Sequence, residues 1–402
     1  METKTQVYIV GSGVIGLAVG IALLKAKPSL KVSVLEKEVN LGFHASGRNS
    51  GVIHAGFYYS PDSLKAKFCR EGNIALTNLI VKNNLDYKRT GKVVVAQNSD
   101  QVSDLVELAR RGIENGVELE LLESADLPKF EPFARTTSAF LWSPSTSVAD
   151  PGQVIKVMAA EFENLGGVLH FNQEVTEIRN GSLIVNSRTL DASLIINCAG
   201  TQALRLAHNM EVATEFAQLP FMGLYRYTEN AALPLRTLVY PVPDKNYPFL
   251  GVHFTVAVDG KIKIGPSAIP ILGSEQYQFS KGVNSTDLKQ SLTSLKSLAI
   301  NNFYQSWALA RTELPNLKTK ALLEKAAALV PESRNVKSWK RYKPGIRAQL
   351  VEKRTGKLVQ DFKIAKEGFV IHVLNSVSPG WTSSLSFGSW IAGQGLELLD
   401  KR

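Results

Sequence analysis

Residues 7–36 constrain the fold more than any other stretch. Val7-Tyr8-Ile9-Val10 is a short apolar run, and Gly11, Gly13 and Gly16 follow it in the spacing G-x-G-x-x-G. Residues 17–24 then read as an apolar helix, and residues 32–35 as a second strand that ends on Glu36. Strand, glycine turn, helix, strand and acid in this order open a doubly wound α/β domain that holds a dinucleotide. Gly11 permits the tight turn, Gly13 lets a pyrophosphate approach the backbone, and Gly16 lets the helix pack closely on the sheet. The helix N-terminus offers free N–H groups and a partial positive charge to the phosphates. Glu36 lies twenty residues beyond Gly16, where a ribose-binding carboxylate belongs. An acid there fits an unphosphorylated ribose, as in FAD or NAD, and the fingerprint does not choose between the two.

A chain of 402 residues has room for two or three domains and a large core. Its apolar stretches are too short or too interrupted to span a bilayer. No signal-like region precedes the first strand, and the two cysteines, Cys69 and Cys198, fit no metal spacing. Reduced packing thiols and a cytoplasmic location are therefore expected. The net charge of +10 is unevenly spread. Residues 334–366 hold eleven cations against only Glu352 and Asp361, a net of +9. Such a concentration is more informative than the total, and it raises the question of an anionic partner.

Further along, the small residues of Gly47-Arg48-Asn49-Ser50-Gly51 and Ala55-Gly56 let backbone lie flat against a ring system. Helices are expected over 63–83, capped by Asp62 or Ser63, and over 101–114. Strands at 93–96 and 139–142 break the β-α-β rhythm and point to an inserted second domain. The rhythm returns with a helix at 151–165, strands at 168–171, 175–178 and 183–185, and a buried strand over 194–197. That last strand runs into Cys198-Ala199-Gly200, and a strand C-terminus of this kind faces the ligand crevice. Residues 216–228, 237–243 and 249–265 alternate like a second, antiparallel sheet, with an Asp259-Gly260 hairpin turn. Helices follow at 287–300 and 318–329, then a strand over 369–374 and a last helix over 383–399.

Three segments carry a resemblance: 46–61, Pro248-Phe249-Leu250-Gly251-Val252-His253, and Pro344-Gly345-Ile346-Arg347-Ala348-Gln349. With them the chain resembles, over nearly its whole length, the FAD-dependent L-2-hydroxyglutarate dehydrogenases and oxidases of the D-amino-acid-oxidase-like superfamily. The resemblance implies an α/β fold class. A Rossmann-like FAD-binding domain would come from 1–87, 148–208 and 340–402. A second α+β substrate domain, built on an antiparallel sheet, would come from 88–147 and 209–339. It implies that FAD is held by Gly11, Gly13, Val14, Ile15 and Gly16 of the turn and by Glu36 and Lys37. Ser46, Arg48, Asn49, Ser50 and Gly51 would follow, then Val175, Ala199 and Gly200, and finally Gly345, Ser378, Gly380, Thr382 and Ser383.

The implied reaction oxidises a 2-hydroxy acid to the 2-keto acid, with hydride passing to the flavin. Arg347 is the candidate for the substrate carboxylate, because a guanidinium matches it with two parallel hydrogen bonds. His54 and His253 are the candidate bases, with His54 the first choice, since an ordinary imidazole titrates near neutrality. The chain also departs from the family pattern. Arg48 stands where His is usual, and Met222 and Leu224 replace an Arg and a Glu. Leu272-Gly273-Ser274-Glu275-Gln276-Tyr277 lacks a usual Lys-Arg pair. Arg347 alone serves only one carboxylate, Glu275 would repel a second if it faced the site, and Arg48 is open to two roles, a replacement cation for that second carboxylate or a partner of flavin or phosphate. L-2-hydroxyglutarate is therefore the expected substrate, with a weak preference over monocarboxylic 2-hydroxy acids.

Two other readings remain open: an amine or amino-acid oxidase of the same superfamily, and a basic anion-binding protein with a vestigial cofactor fold. Nucleic acid is not an expected partner, although Trp339-Lys340-Arg341-Tyr342-Lys343 interleaves rings and cations. The basic stretch has two readings, a solvated basic face or a surface that docks on an anionic membrane with Trp339 and Tyr342 at headgroup level, and the electron acceptor expected is a quinone or oxygen.

Overall fold

The computed structural model describes residues 5–244 and 249–401. Tyr247 and Pro248 of the family-like segment lie outside the described residues. One sheet has the strand order Ile364–Glu367, Val370–Val373, Leu194–Asn197, Gln6–Val10, Lys31–Leu35, Val168–His170. All of its pairs are parallel except the outermost, where Ile364–Glu367 runs antiparallel to Val370–Val373. The helix Val14–Ala26 is apolar all round, and a helix of that kind must be covered on every side. The sheet lies beneath it, and Pro151–Asn164 and Ser384–Leu399 pack against it in the same core. Ser63 caps Leu64–Lys82 by accepting from the Ala66 N–H, and Asp150 caps Pro151–Asn164.

The second sheet has eight strands. Its order is Lys340–Arg341, Arg226–Glu229, Lys261–Gly265, His253–Val256, Leu238–Pro241, Lys92–Val95, Ala139–Ser143, Glu120–Glu123. It is not wholly antiparallel, because Leu238–Pro241 runs parallel to Lys92–Val95. The reason lies in the chain path. Each of two separate excursions brings its own antiparallel partners, and the two groups join edge to edge at this pair.

Several expected boundaries move. Residues 216–228 are two strands, Phe216–Gly223 and Arg226–Glu229, in different sheets. Residues 249–252 precede the strand His253–Val256 rather than forming part of it. An unanticipated helix, Phe303–Glu313, follows Ser285–Asn301. The basic stretch is structured as well. Lys340–Arg341 pairs with Arg226 and Tyr227, and Gly345–Glu352 pairs along its length with Phe216–Gly223. Parts of the expected 340–402 cofactor segment thus hydrogen-bond to strands of the expected substrate segment.

Candidate active site

The cofactor cleft forms where the strand Gln6–Val10 ends. Gly11 has φ +97°, and a Cβ there would lie 2.7 Å from the Cys198 carbonyl oxygen. A Cβ on Gly16 would come within 2.1 Å of the Gly11 carbonyl oxygen, so turn and helix close on each other only through glycine. The Val14 N–H at the helix start donates to Ser46 Oγ at 3.0 Å. Glu36 is held firmly: one carboxylate oxygen accepts from Ser12 N and Oγ at 3.0 and 2.7 Å, the other from Glu38 N at 3.0 Å.

The cleft has a volume of about 290 Å³. The glycine turn, Val14, Ile15, Glu36 and Lys37 line one part of it, with Val175, Ala199 and Gly200. Ser46, Arg48, Asn49 and Ser50 line it further along, with Gly345, Ser378, Gly380 and Thr382. Small residues leave a cradle, the helix start offers N–H groups, and a fixed carboxylate waits for a ribose, so these residues fit a bound dinucleotide. Two expected residues do not line the cleft. Gly51 accepts from Ala149 N at 2.9 Å, behind the wall, and Ser383 is wholly buried at the start of Ser384–Leu399.

A second cavity of about 540 Å³ adjoins the cleft. Ser50, His54, Tyr225, Arg347 and Ser378 line both, so the junction of the two is where a substrate would meet a cofactor. Arg347 and Gln349 reach the second cavity from alternate positions of one strand. The Arg347 guanidinium lies 5.5 Å from the Phe249 ring centroid and has no hydrogen-bond or ion-pair partner among the described residues.

Both histidines are present. The His54 backbone is pinned on two sides: its N–H donates to Thr382 Oγ1 at 3.1 Å, and its carbonyl accepts from Asn73 Nδ2 at 3.0 Å. Its Nδ1 is buried without a partner. His253 Nδ1 lies 2.8 Å from the Gly251 carbonyl, which fixes the tautomer with the proton on Nδ1 and leaves Nε2 an acceptor. Burial holds both imidazoles below the ordinary range, His253 at about 3, and the Lys92 and Arg347 charges add to it.

Lys92 was not legible as a site residue from its sequence context. It is fully buried on a central strand, and its Nζ has no hydrogen-bond partner. The rings of Tyr240, Tyr58 and Phe57 surround it at 4.5, 4.9 and 5.1 Å. Burial lowers its pKa to about 7. Lys65, Tyr59 and Tyr240 of the cavity wall were likewise unforeseen. A strand-interior lysine and a helical lysine look like solvated charges until the fold buries them.

Other expectations change. Glu275 does not line the second cavity; it pairs with Lys37 at 2.9 Å. Lys37 also pairs with Glu38 at 2.6 Å, so it neutralises the one cluster, Glu38, His44 and Glu275, compact enough to share a metal ion among the described residues. Arg48, expected at the cofactor, lines the cleft and not the second cavity, and it stacks 4.2 Å over Tyr277 and donates to the Phe43 carbonyl at 2.6 Å. Met222 and Leu224 pack together with Ile271 and Ile346, an apolar cluster where an ion pair is usual. Trp339 packs against the core of the second sheet, and Tyr342 meets Tyr227 edge to face with Lys263 Nζ 4.3 Å over its ring. Neither ring is placed as an interfacial anchor.

A family model described as FAD dependent oxidoreductase matches residues 6–394. The chain is 36% identical over 397 residues to L-2-hydroxyglutarate dehydrogenase of Indibacter alkaliphilus, covering 96% of this chain and 97% of that protein. It is 32% identical over 400 residues to L-2-hydroxyglutarate dehydrogenase of Escherichia coli K12, covering 97% and 93%. Among solved structures, dithionite-reduced L-alpha-glycerophosphate oxidase from Mycoplasma pneumoniae with FAD bound gives a TM-score of 0.75 at 25% identity, over 100% of this chain and 95% of that one. Glycine oxidase from Geobacillus kaustophilus gives 0.71 at 18% identity over 99% and 96%, a likeness of fold alone.

Proposed function

The chain belongs to the DAO family of FAD-dependent oxidoreductases, and from that premise we propose that it oxidises L-2-hydroxyglutarate to the 2-keto acid. The observation that carries this reading is the unpaired Arg347 guanidinium at the junction of cleft and cavity, with His54 beside it in the same lining. Bound FAD supplies the hydride acceptor. The chain's own residues do the rest. Arg347 takes the carboxylate next to the hydroxyl, a charge-assisted contact that orients the carbon to be oxidised. His54 or His253 accepts the hydroxyl proton, each being held neutral and so able to receive it. Tyr58, Tyr59 and Tyr240 wall the cavity, and burial keeps their phenols protonated, so they donate hydrogen bonds without competing for the proton.

The test is anaerobic reduction of the purified protein by a panel of L- and D-2-hydroxy acids and amino acids, read as flavin bleaching. Bleaching by L-2-hydroxyglutarate ahead of the others supports the proposal. Bleaching by an amino acid, with ammonia released, would transfer the chain to the amine oxidases.

For the acceptor side we propose a peripheral membrane contact, with a quinone or oxygen taking the electrons. Among the described residues no helix is long and apolar enough to cross a membrane. The support lies on Ser285–Asn301 and Phe303–Glu313 rather than on the basic stretch. Ile300, Phe303, Tyr304 and Trp307 are exposed there, with Lys289, Lys296 and Arg311, and Lys318 and Lys320 are exposed just beyond. The acids of that segment, Asp287 and Glu313, are both buried, so the exposed charge is wholly cationic. Apolar rings among cations suit an anionic lipid surface.

A further inference from the structure

Arg347 is not the only uncommitted cation in the second cavity. Lys65 stands in the first turn of Leu64–Lys82, lines the same cavity and is only 8% exposed. Buried lysines almost always have a partner. Among the described residues the Lys65 Nζ has no hydrogen-bond or ion-pair partner, only the rings of Tyr59 and Phe362 at 5.8 and 5.9 Å. Asp361 is nearby, but its carboxylate is occupied by backbone: it accepts from Leu64 N at 2.8 Å, Lys65 N at 3.0 Å and Phe362 N at 2.8 Å. Arg111, the other cation of the wall, is committed to the Tyr58 carbonyl and to Glu107, at 3.1 and 3.3 Å.

Two cations without a hydrogen-bonded or ion-paired partner among the described residues thus share one cavity; the nearby Asp361 charge favours the charged Lys65, and the Arg347 charge opposes it. Like charges brought together in a partly desolvated space are unfavourable until an anion joins them. A single carboxylate would satisfy one of them. A dicarboxylate would satisfy both, one end on the bidentate guanidinium and the other on the ammonium.

We propose that Lys65 binds the distal carboxylate of a dicarboxylic substrate whose hydroxy-acid end is held by Arg347. This rests on the reading of Arg347 given above, and it supplies the second anchor that the missing Lys-Arg pair had put in doubt. Burial lowers the Lys65 pKa to about 8, which still leaves the ammonium charged at neutral pH.

The experiment uses the FAD-loaded protein titrated with glutarate and with butyrate, neither of which carries a hydroxyl to oxidise, read by perturbation of the flavin absorption. The wild type is expected to bind glutarate at least about tenfold more tightly than butyrate, as a charge-assisted pair gained should give. Lys65→Met should bring that ratio to about one, and Lys65→Arg should keep much of it. Should Lys65→Met not accumulate, Lys65→Gln reads the same ratio. A ratio that survives loss of the charge, or a wild type without glutarate preference, overturns the proposal. Because neither ligand is oxidised, the outcome is separate from turnover. A Lys65-dependent glutarate preference in a protein that L-2-hydroxyglutarate does not reduce would count against the proposed function alone.

Discussion

His253 lies face to face on Tyr240, with ring centroids 3.8 Å apart and an interplanar angle of 16°. The stack, together with the Gly251 carbonyl on Nδ1, fixes the imidazole so that only Nε2 is left to accept a proton. The Lys92 ammonium also lies over the Tyr240 ring, 4.5 Å from its centroid. Ring, imidazole and buried cation form one unit, and its electrostatics decide the pH behaviour of the site.

The first prediction concerns that behaviour. A base works only unprotonated, and His253 stays so until the pH falls toward about 3, with His54 also depressed. Burial is the main cause for both, and the Lys92 and Arg347 charges add to it, with His253 also acting on His54 and the Gly251 carbonyl partly opposing the shift at His253. Between about pH 5 and 6.5, kcat/KM for L-2-hydroxyglutarate should therefore stay flat. An ordinary histidine with a pKa of about 6.5 would lose roughly sixteenfold across that range. A pH–rate profile that bends near 6.5 would falsify the assignment of both residues.

Replacing Lys92 gives the second. An unfolded lysine titrates near 10.4, whereas Lys92 in the fold titrates at about 7. Between those values the unfolded chain binds more protons, so the wild type gains stability as pH rises through that window. Below about pH 7 the full cost of a buried charge is present. Lys92→Met, similar in volume, should therefore raise Tm at pH 6 by about 3 °C or more, with the gain shrinking toward pH 10. The three surrounding rings offset part of the cost, but cation–π contacts of about 1–2 kcal/mol are smaller than a shift of this size. Thermal unfolding at the two pH values decides it. An unchanged or lowered Tm at pH 6 would mean that the aromatic cage outweighs the desolvation.

Arg347→Met is the third. The variant should retain FAD, because the side chain sits at the junction of the cavities rather than against the glycine turn. Loss of a charge-assisted carboxylate contact should lower kcat/KM at least about tenfold, or roughly 1.4 kcal/mol. Steady-state kinetics at wild-type level, with the flavin spectrum intact, would remove Arg347 from substrate binding.

A fourth prediction addresses the exposed helical surface. The protein should sediment with vesicles containing anionic lipid, release on raising the salt, and ignore neutral vesicles. Tyr304→Ser with Trp307→Ser should weaken binding at low salt, since both rings are exposed and neither lines either cavity. Trp339→Phe should not, because that ring belongs to the core. Equal binding by the double variant would move the contact elsewhere.

The doubly wound half of the fold was legible because its instructions are local. Gly11, Gly13, Gly16 and Glu36 act within one strand–turn–helix–strand unit, and helix ends such as Ser63 and Pro151 are set by hydrogen bonds within a turn. The same holds for most helices and hairpin strands, whose periodicity reports which face must be buried. Arg347 and the two histidines were legible as candidates by residue type and by family-like context.

What only the tertiary structure decided is the company each side chain keeps. Lys92 and Lys65 read as surface charges in one dimension, and the fold buries one among rings and leaves the other uncommitted in the cavity wall. Glu275 read as a group that would repel a substrate if it faced the site, yet a contact across the chain commits it to Lys37, and Arg48 stacks over Tyr277 on the cofactor side, where it was expected. The basic stretch read as one charged surface, but strand pairing with Phe216–Gly223 turns Arg347 inward and separates it from its neighbours. The residue types and their local spacing are properties of the sequence itself. Burial, pairing and the resulting pKa depend on residues tens to hundreds of positions away, and those distances exist only after the chain has folded.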